Sequence, residues 1–207
     1  DDETIARIEG WISDGAQNDT MPEKNISVEA VPEEQTPGPG GPVSYSHVAP
    51  IFLKRCIKCH AEKGQMGGPP EGLILKTREQ ILAGGERVVV IPGNPAASLV
   101  VRHITGRERP RMPFDGPPYL SDEEIRLITD WIEQGAPDDE GKKAPVPAGA
   151  RVRIKGTLTG YWEVDGAPLI LAPGARVKKR PSPGDFVEVR GTVMPDGGIR
   201  VERIRRR

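Results

Sequence analysis

Sulfur and aromatic rings are both scarce in this chain. Two cysteines occur in 207 residues, and aromatic side chains make up 4% of them. Two thiols cannot complete a four-cysteine zinc site. With so few rings and only 36% hydrophobic residues, a core built from protein alone would be thin. No apolar run is long enough to span a bilayer, so no transmembrane segment is expected. No leader peptide is visible either. The chain opens on Asp1-Asp2, as a mature or truncated form would. No catalytic triad, paired-carboxylate motif or phosphate-binding loop stands out.

Proline (22) and glycine (25) are plentiful, which predicts long loops and linkers. The formal net charge of −1 hides an uneven split. Residues 1–144 carry 16 Lys and Arg against 24 Asp and Glu, whereas residues 145–207 carry 13 against 6. Such asymmetry predicts two modules with different surfaces.

The two cysteines fall in one short motif, Cys56-Ile57-Lys58-Cys59-His60. C-x-x-C-H is the attachment pattern of a c-type haem. Two thiols one helical turn apart can each add to a vinyl group of one porphyrin, and the next residue, His60, then offers its imidazole to the iron. The competing readings are weaker. A thioredoxin-like redox pair needs a βαβ setting that is not present here, and half a zinc site has no second pair of cysteines to complete it. A buried porphyrin would also supply the apolar mass that the composition lacks.

Two helical segments repeat at a distance of 120 residues. Ile5, Ile8, Trp11-Ile12 and Gly15-Ala16 recur as Ile125, Ile128, Trp131-Ile132 and Gly135-Ala136. Residues 1–19 are therefore expected to be the closing helix of an upstream haem-domain repeat, in a chain that continues a longer protein. Residues 20–43, with Pro22, Pro32, Pro37, Pro39 and Pro42, read as an extended linker with little to bury.

Residues 44–144 read as a helical haem domain. Ser46 is expected to cap a helix with Pro50 in its first turn, and this helix is expected to carry the cysteines, with Ile51, Phe52, Arg55 and Cys59 on its inner side. Thr77 caps a short helix through Leu82, and Asn94 with Pro95 opens another turn. Ser98 to Ile104 is helical, and Ser121 with Glu124 forms a capping box before the last helix. The pieces Ala49-Pro50-Ile51-Phe52, Arg55-Cys56-x-x-Cys59-His60, Gly72-Leu73-x-Leu75, Ile91-Pro92-Gly93-Asn94-Pro95-x-x-Ser98-Leu99, Met112-Pro113 and Trp131-Ile132-x-x-Gly135-Ala136 follow in order. Together they resemble a class I cytochrome c domain of the planctomycete type, over nearly all of residues 44–137.

For a sixth iron ligand the side chains to weigh are Met21, Met66, Met112, Met194, His47 and His103. Met66 follows His60 too closely, Met21 lies in the linker and Met194 in the basic module. Met112 sits in a loop stiffened by Pro110, Pro113, Pro117 and Pro118, and the resemblance places the ligand at this Met-Pro. A thioether raises the potential relative to bis-His ligation. His103 reads as a propionate or surface partner, and His47 as a surface or capping residue. Arg55, Arg102 and Arg111 could pair with propionates, since a guanidinium fork fits a carboxylate. Leu73, Leu75, Ile91, Leu99 and Trp131 are expected in the pocket or core.

After Pro147 the period changes to two. Strands are expected at 151–158, 161–164, 168–171, 185–193 and 199–204, with turns at Asp165-Gly166 and Asp196-Gly197-Gly198. Residues 145–207 thus read as a small basic β-barrel of OB-like type. The whole is expected to be α+β and multidomain, an all-α cytochrome c domain followed by a small all-β barrel. Exposed aromatics for base stacking are few, so nucleic acid is not an expected partner.

The expected function is one-electron transfer through a haem c ligated by His60 and Met112, in a subunit or domain of a larger redox complex. A haem-containing catalytic or scaffold subunit of a multihaem oxidoreductase is the alternative. Expected partners are redox proteins bearing haem or metal, with any membrane association made through the complex. The resemblance implies the periplasm or cell surface, where haem c is attached.

Overall fold

Four α-helices are followed by five strands in residues 36–207, the part of the chain that the computed structural model describes. The architecture is α+β. The helices are α1 (Tyr45–Arg55), α2 (Arg78–Ala83), α3 (Leu99–Ile104) and α4 (Asp122–Glu133), with 3-10 turns at Pro70–Gly72 and Pro95–Ala97. The strands are β1 (Arg151–Gly160), β2 (Glu163–Val164), β3 (Ala167–Lys178), β4 (Phe186–Val193) and β5 (Ile199–Arg206). The helix expected at 1–19 lies outside the described residues. No described helix is long and apolar enough to cross a membrane.

Local capping sets most helix starts. The Thr77 hydroxyl accepts from the Gln80 amide, and the Asn94 side chain accepts from the Ala97 amide. At α4 the Ser121 hydroxyl accepts from the Glu124 amide while Glu124 accepts from the Ser121 amide, a reciprocal box. The start of α1 differs from expectation. Ser44, not Ser46, is the cap, because its amide donates to Nδ1 of His47 at 2.9 Å. Pro50 therefore lies inside α1 rather than in its first turn.

α1 and α4 face each other across the first core. Val48, Ile51 and Phe52 of α1 and Leu127, Ile128, Trp131 and Ile132 of α4 are buried there. The described end of the linker packs on the same helix. Arg126 donates to the Pro37 carbonyl, Gln134 donates to the Gly41 carbonyl and accepts from the Val43 amide, and Val43 is buried.

The strands close into a barrel in the order β1-β2-β3-β5-β4, with β3 and β5 parallel and the other pairs antiparallel. Alternation puts Ile154, Leu158, Val187, Val189, Ile199 and Val201 inside, and Ile204 faces inward beyond the register shift in β5. β3 runs to Lys178, beyond the 168–171 expected, because a register shift between Leu171 and Arg176 carries pairing past Pro173-Gly174. On the outside, Arg153, Arg190, Arg203 and Arg176 stand opposite one another across four strands. Like charges so placed repel. Glu188, 3% exposed, offsets part of this by accepting from Arg153, Arg190 and Arg207.

Glu188 gives the barrel an acid-sensitive contribution. Burial alone would push its carboxyl up, but the hydrogen bonds from Arg207, Arg153 and Arg190 outweigh this and hold it at about 2, below its ordinary 4.5. A depressed folded pKa stabilises fully above the unfolded value, and that contribution is lost as pH falls from about 4.5 through about 2. The guanidiniums are 38–48% exposed and screened, which reduces the gain at pH 7 to about 1–2 kcal/mol. Glu188→Gln should therefore lower barrel stability at pH 7 and flatten its pH dependence in that window, as read by urea unfolding. An unchanged slope between pH 4.5 and 2 would assign the acid sensitivity to other groups.

Gly191 marks where β4 and β5 shift register. A Cβ there would lie 2.1 Å from the Arg200 carbonyl oxygen and 3.1 Å from the Val201 Cα, both backbone atoms that cannot swing away. Gly191→Ala should cost about 1–3 kcal/mol in thermal or urea unfolding.

The loop 91–97 lies between the two cores. Ile91 and Ala97 are buried in the barrel core, so Ile91 takes a core position, apart from the cluster on which Cys56 and Met112 pack. Asn94 donates to the Gly197 carbonyl in the β4–β5 turn at 2.9 Å, while the Gly93 amide donates to the Ile132 carbonyl at the end of α4.

Candidate functional site

The helix does not carry the cysteines as expected: α1 ends at Arg55, and the motif follows it as a turn. Amides of Cys56 and Ile57 both donate to the Phe52 carbonyl, and those of Cys59 and His60 both donate to the Cys56 carbonyl. One irregular turn thus presents Cys56, Cys59 and His60, all partly exposed and with neither thiol in a disulfide. Gly64 closes the turn. Its missing Cβ would sit 2.6 Å from the Cys59 carbonyl oxygen.

His60 is held by the segment that follows. Its Nδ1 lies 3.1 Å from the Leu73 carbonyl, and its own carbonyl accepts from the Leu75 amide at 2.9 Å. A carbonyl can only accept, so Nδ1 carries a proton, and in the neutral ring the lone pair is then on Nε2. Fixing one ring nitrogen to a backbone carbonyl orients the other for a metal. The Leu73 carbonyl is a functional group that side-chain reading could not find.

Cys56, Leu73 and Met112 are partly buried and pack on the same core, as do Val100 and Ile125. Leu75, Leu99 and Trp131 lie wholly within that core. Burial pushes the Cys56 thiol up to about 12. Glu124 and Cys59 push the same way, against Arg55. It is therefore a neutral thiol at pH 7 and a poor nucleophile. Paired thiols and an imidazole held through Nδ1 fit a covalently bound porphyrin. Among the described residues no group of three or more His, Cys, Asp and Glu side chains is placed to hold a metal ion.

Met112 sits in the loop between α3 and α4. Its amide donates to the His103 carbonyl at 3.0 Å, and Nδ1 of His103 donates to the Pro110 carbonyl at 2.8 Å. Farther along, the Pro118 carbonyl accepts from Arg55, and Asp115 pairs with Lys58. The loop is thereby fastened to the cysteine turn at one end and to α3 at the other. Arg111 lies 4.0 Å over the Tyr119 ring and donates to the Ile104 carbonyl. Of the remaining methionines, Met66 is 65% exposed and Met194 lies in the β4–β5 turn; Met21 is outside the described residues. His47 caps α1.

Arg102 departs from expectation. It is fully buried and turned toward the barrel, where it pairs with Asp165 at 2.7 Å, and it offers nothing to a propionate. Its partner lies 63 residues away, in a turn whose residues read simply as a hairpin.

Residues 56–116 match the family model described as planctomycete cytochrome C. The match starts at Cys56 and ends just past Met112-Pro113, a shorter span than the 44–137 over which the motifs run. No curated protein and no solved structure matches the chain. Over the stretch that bears Cys56, Cys59, His60 and Met112, the chain is similar to planctomycete cytochrome C, which points to a cytochrome c-type function with haem as cofactor.

Proposed function

We propose that this chain is a c-type cytochrome of class I type that passes single electrons through one haem, bound to Cys56 and Cys59 and ligated by His60 and Met112. It acts as a carrier within a larger redox complex, and not as a catalyst itself. The observation that carries this reading is the imidazole of His60, fixed through Nδ1 to the Leu73 carbonyl, which in the neutral ring leaves the lone pair on Nε2. Bound there, haem supplies a reversible one-electron iron couple. The chain's own part is to orient His60, to hold Met112 in a fastened loop, and to keep water from the iron with Leu73, Val100 and Ile125.

The location is the periplasm or the cell surface, where haem c is attached. The barrel is OB-like, a reading supported by its closed strand order and the parallel β3–β5 pair. Its outward row of Arg153, Arg190, Arg203 and Arg176 suits an acidic redox partner, whose association would slow as salt rises.

Expression with a cytochrome maturation system tests this. The expected product is red, stays red on denaturation, and exceeds the polypeptide mass by one haem. Its ferric form is low-spin with the weak far-red band of thioether ligation. A high-spin ferric spectrum would favour a catalytic haem with an open iron position. A colourless product of bare polypeptide mass would overturn haem attachment.

A further inference from the structure

We infer that Lys155 of the barrel and Glu108 of the Met112 loop form a positioning clamp, backed by Arg102 and Asp165, through which the barrel holds the distal thioether in place. The inference rests on Met112 as the sixth ligand.

Glu108 begins the loop that leads to Met112. Its carboxylate is 6% exposed and takes two hydrogen bonds from one barrel residue: the Lys155 amide at 3.2 Å and the Lys155 ammonium at 3.0 Å. The Glu108 amide in turn donates to the Arg102 carbonyl at 2.9 Å. The Arg102 guanidinium, fully buried, donates to the Lys155 carbonyl at 2.5 Å, to the Ala96 carbonyl at 3.0 Å and to Asp165 at 2.7 Å. Lys155 is thus gripped at its amide, carbonyl and ammonium by two residues of the helical part. Gly156 follows it for a steric reason. A Cβ there would lie 1.9 Å from the Asp165 carboxylate and 2.6 Å from Arg102.

The clamp leads directly to the thioether. From Arg102 the chain passes to His103, whose carbonyl accepts from the Met112 amide and whose ring holds Pro110. Beyond Met112, Lys58 and Arg55 fasten the loop to the cysteine turn. The ligand is therefore suspended between the barrel and the cysteine turn. Buried ion pairs stabilise less than well-packed apolar residues would, and their best-attested benefit is a fixed geometry. The fully buried Arg102 guanidinium with Asp165, and the buried Glu108 carboxylate with the partly exposed Lys155, meet at one strand of this barrel.

The test uses the full-length haem protein and two readouts: the far-red thioether band and the affinity of the ferric form for imidazole, which must displace the thioether to bind. Lys155→Met and Glu108→Gln are compared with wild type and with Ile204→Val, a core change on β5, which carries none of the four clamp residues. The expected result is a band in wild type and Ile204→Val, with imidazole affinity raised at least about tenfold in both clamp variants, the scale of one lost hydrogen bond to a charged group. Unchanged affinity in the clamp variants, with the band present, would overturn the clamp and leave Met112 ligation standing. An equal rise in Ile204→Val would also overturn it, by showing a general effect of barrel stability. Absence of the band in wild type would instead overturn Met112 ligation, and the clamp with it.

Discussion

Met112→Ala should keep its haem and lose its far-red band. Attachment depends on Cys56 and Cys59, which this change leaves alone, so colour and added mass should persist. The sixth position should pass to water, giving a ferric high-spin spectrum. The potential should fall by on the order of 0.1 V, since a thioether favours the reduced iron and axial ligands act within a range of roughly 0.8 V. No other described methionine is placed to substitute. Met66 is 65% exposed, and Met194 is held in a barrel turn by its amide bond to the Gly198 carbonyl. His103 already has Nδ1 on the Pro110 carbonyl. His47 accepts the Ser44 amide at Nδ1, which in the neutral ring puts the proton on Nε2. Met112→His should restore a low-spin spectrum at a lower potential. A Met112→Ala protein with the wild-type spectrum would move the ligand elsewhere.

The contrast between Met112 and Arg102 shows which features could be read from residues alone. Met112 stands out in the sequence because its loop carries its own signals, four prolines and a family motif. The caps at Thr77, Asn94 and Ser121 were legible for the same reason, since each hydrogen bond spans three residues. At α1 the cap is Ser44 and not Ser46 because of its bond to the His47 ring, which a composition rule cannot see. The buried surroundings of Arg102 have no local signal, because Lys155 and Asp165 lie 53 and 63 residues further along the chain. Glu108 stood alone among arginines and prolines, and only Lys155 gives it meaning. The end of β3 was hidden because Pro173-Gly174 breaks the alternation that marks a strand, although pairing with β5 resumes at Arg176.

The largest loss of stability is expected from Trp131→Ala. Trp131 is fully buried on α4, with the Phe52 ring edge-on at 6.3 Å and the Tyr45 ring tilted at 6.2 Å, both on α1. Its indole N–H donates to the Pro137 carbonyl at 2.9 Å, which pins the chain as it leaves the helix. Alanine would open a cavity between α1 and α4 and deprive that carbonyl of its donor. The expected cost is about 3–5 kcal/mol, a large share of the 5–15 kcal/mol that holds a typical domain folded. Trp131→Phe keeps an aromatic ring against Phe52 and should lose less than half as much. The loss should also reach the iron, because Cys56 directly follows α1. Urea unfolding followed through the haem spectrum should therefore shift to lower urea together with the loss of helical circular dichroism. A cost below about 1 kcal/mol would mean that the α1–α4 contact is not what holds the helical part together. A spectrum that outlasts the helices would mean that the haem-bearing turn keeps its order without α4 behind it.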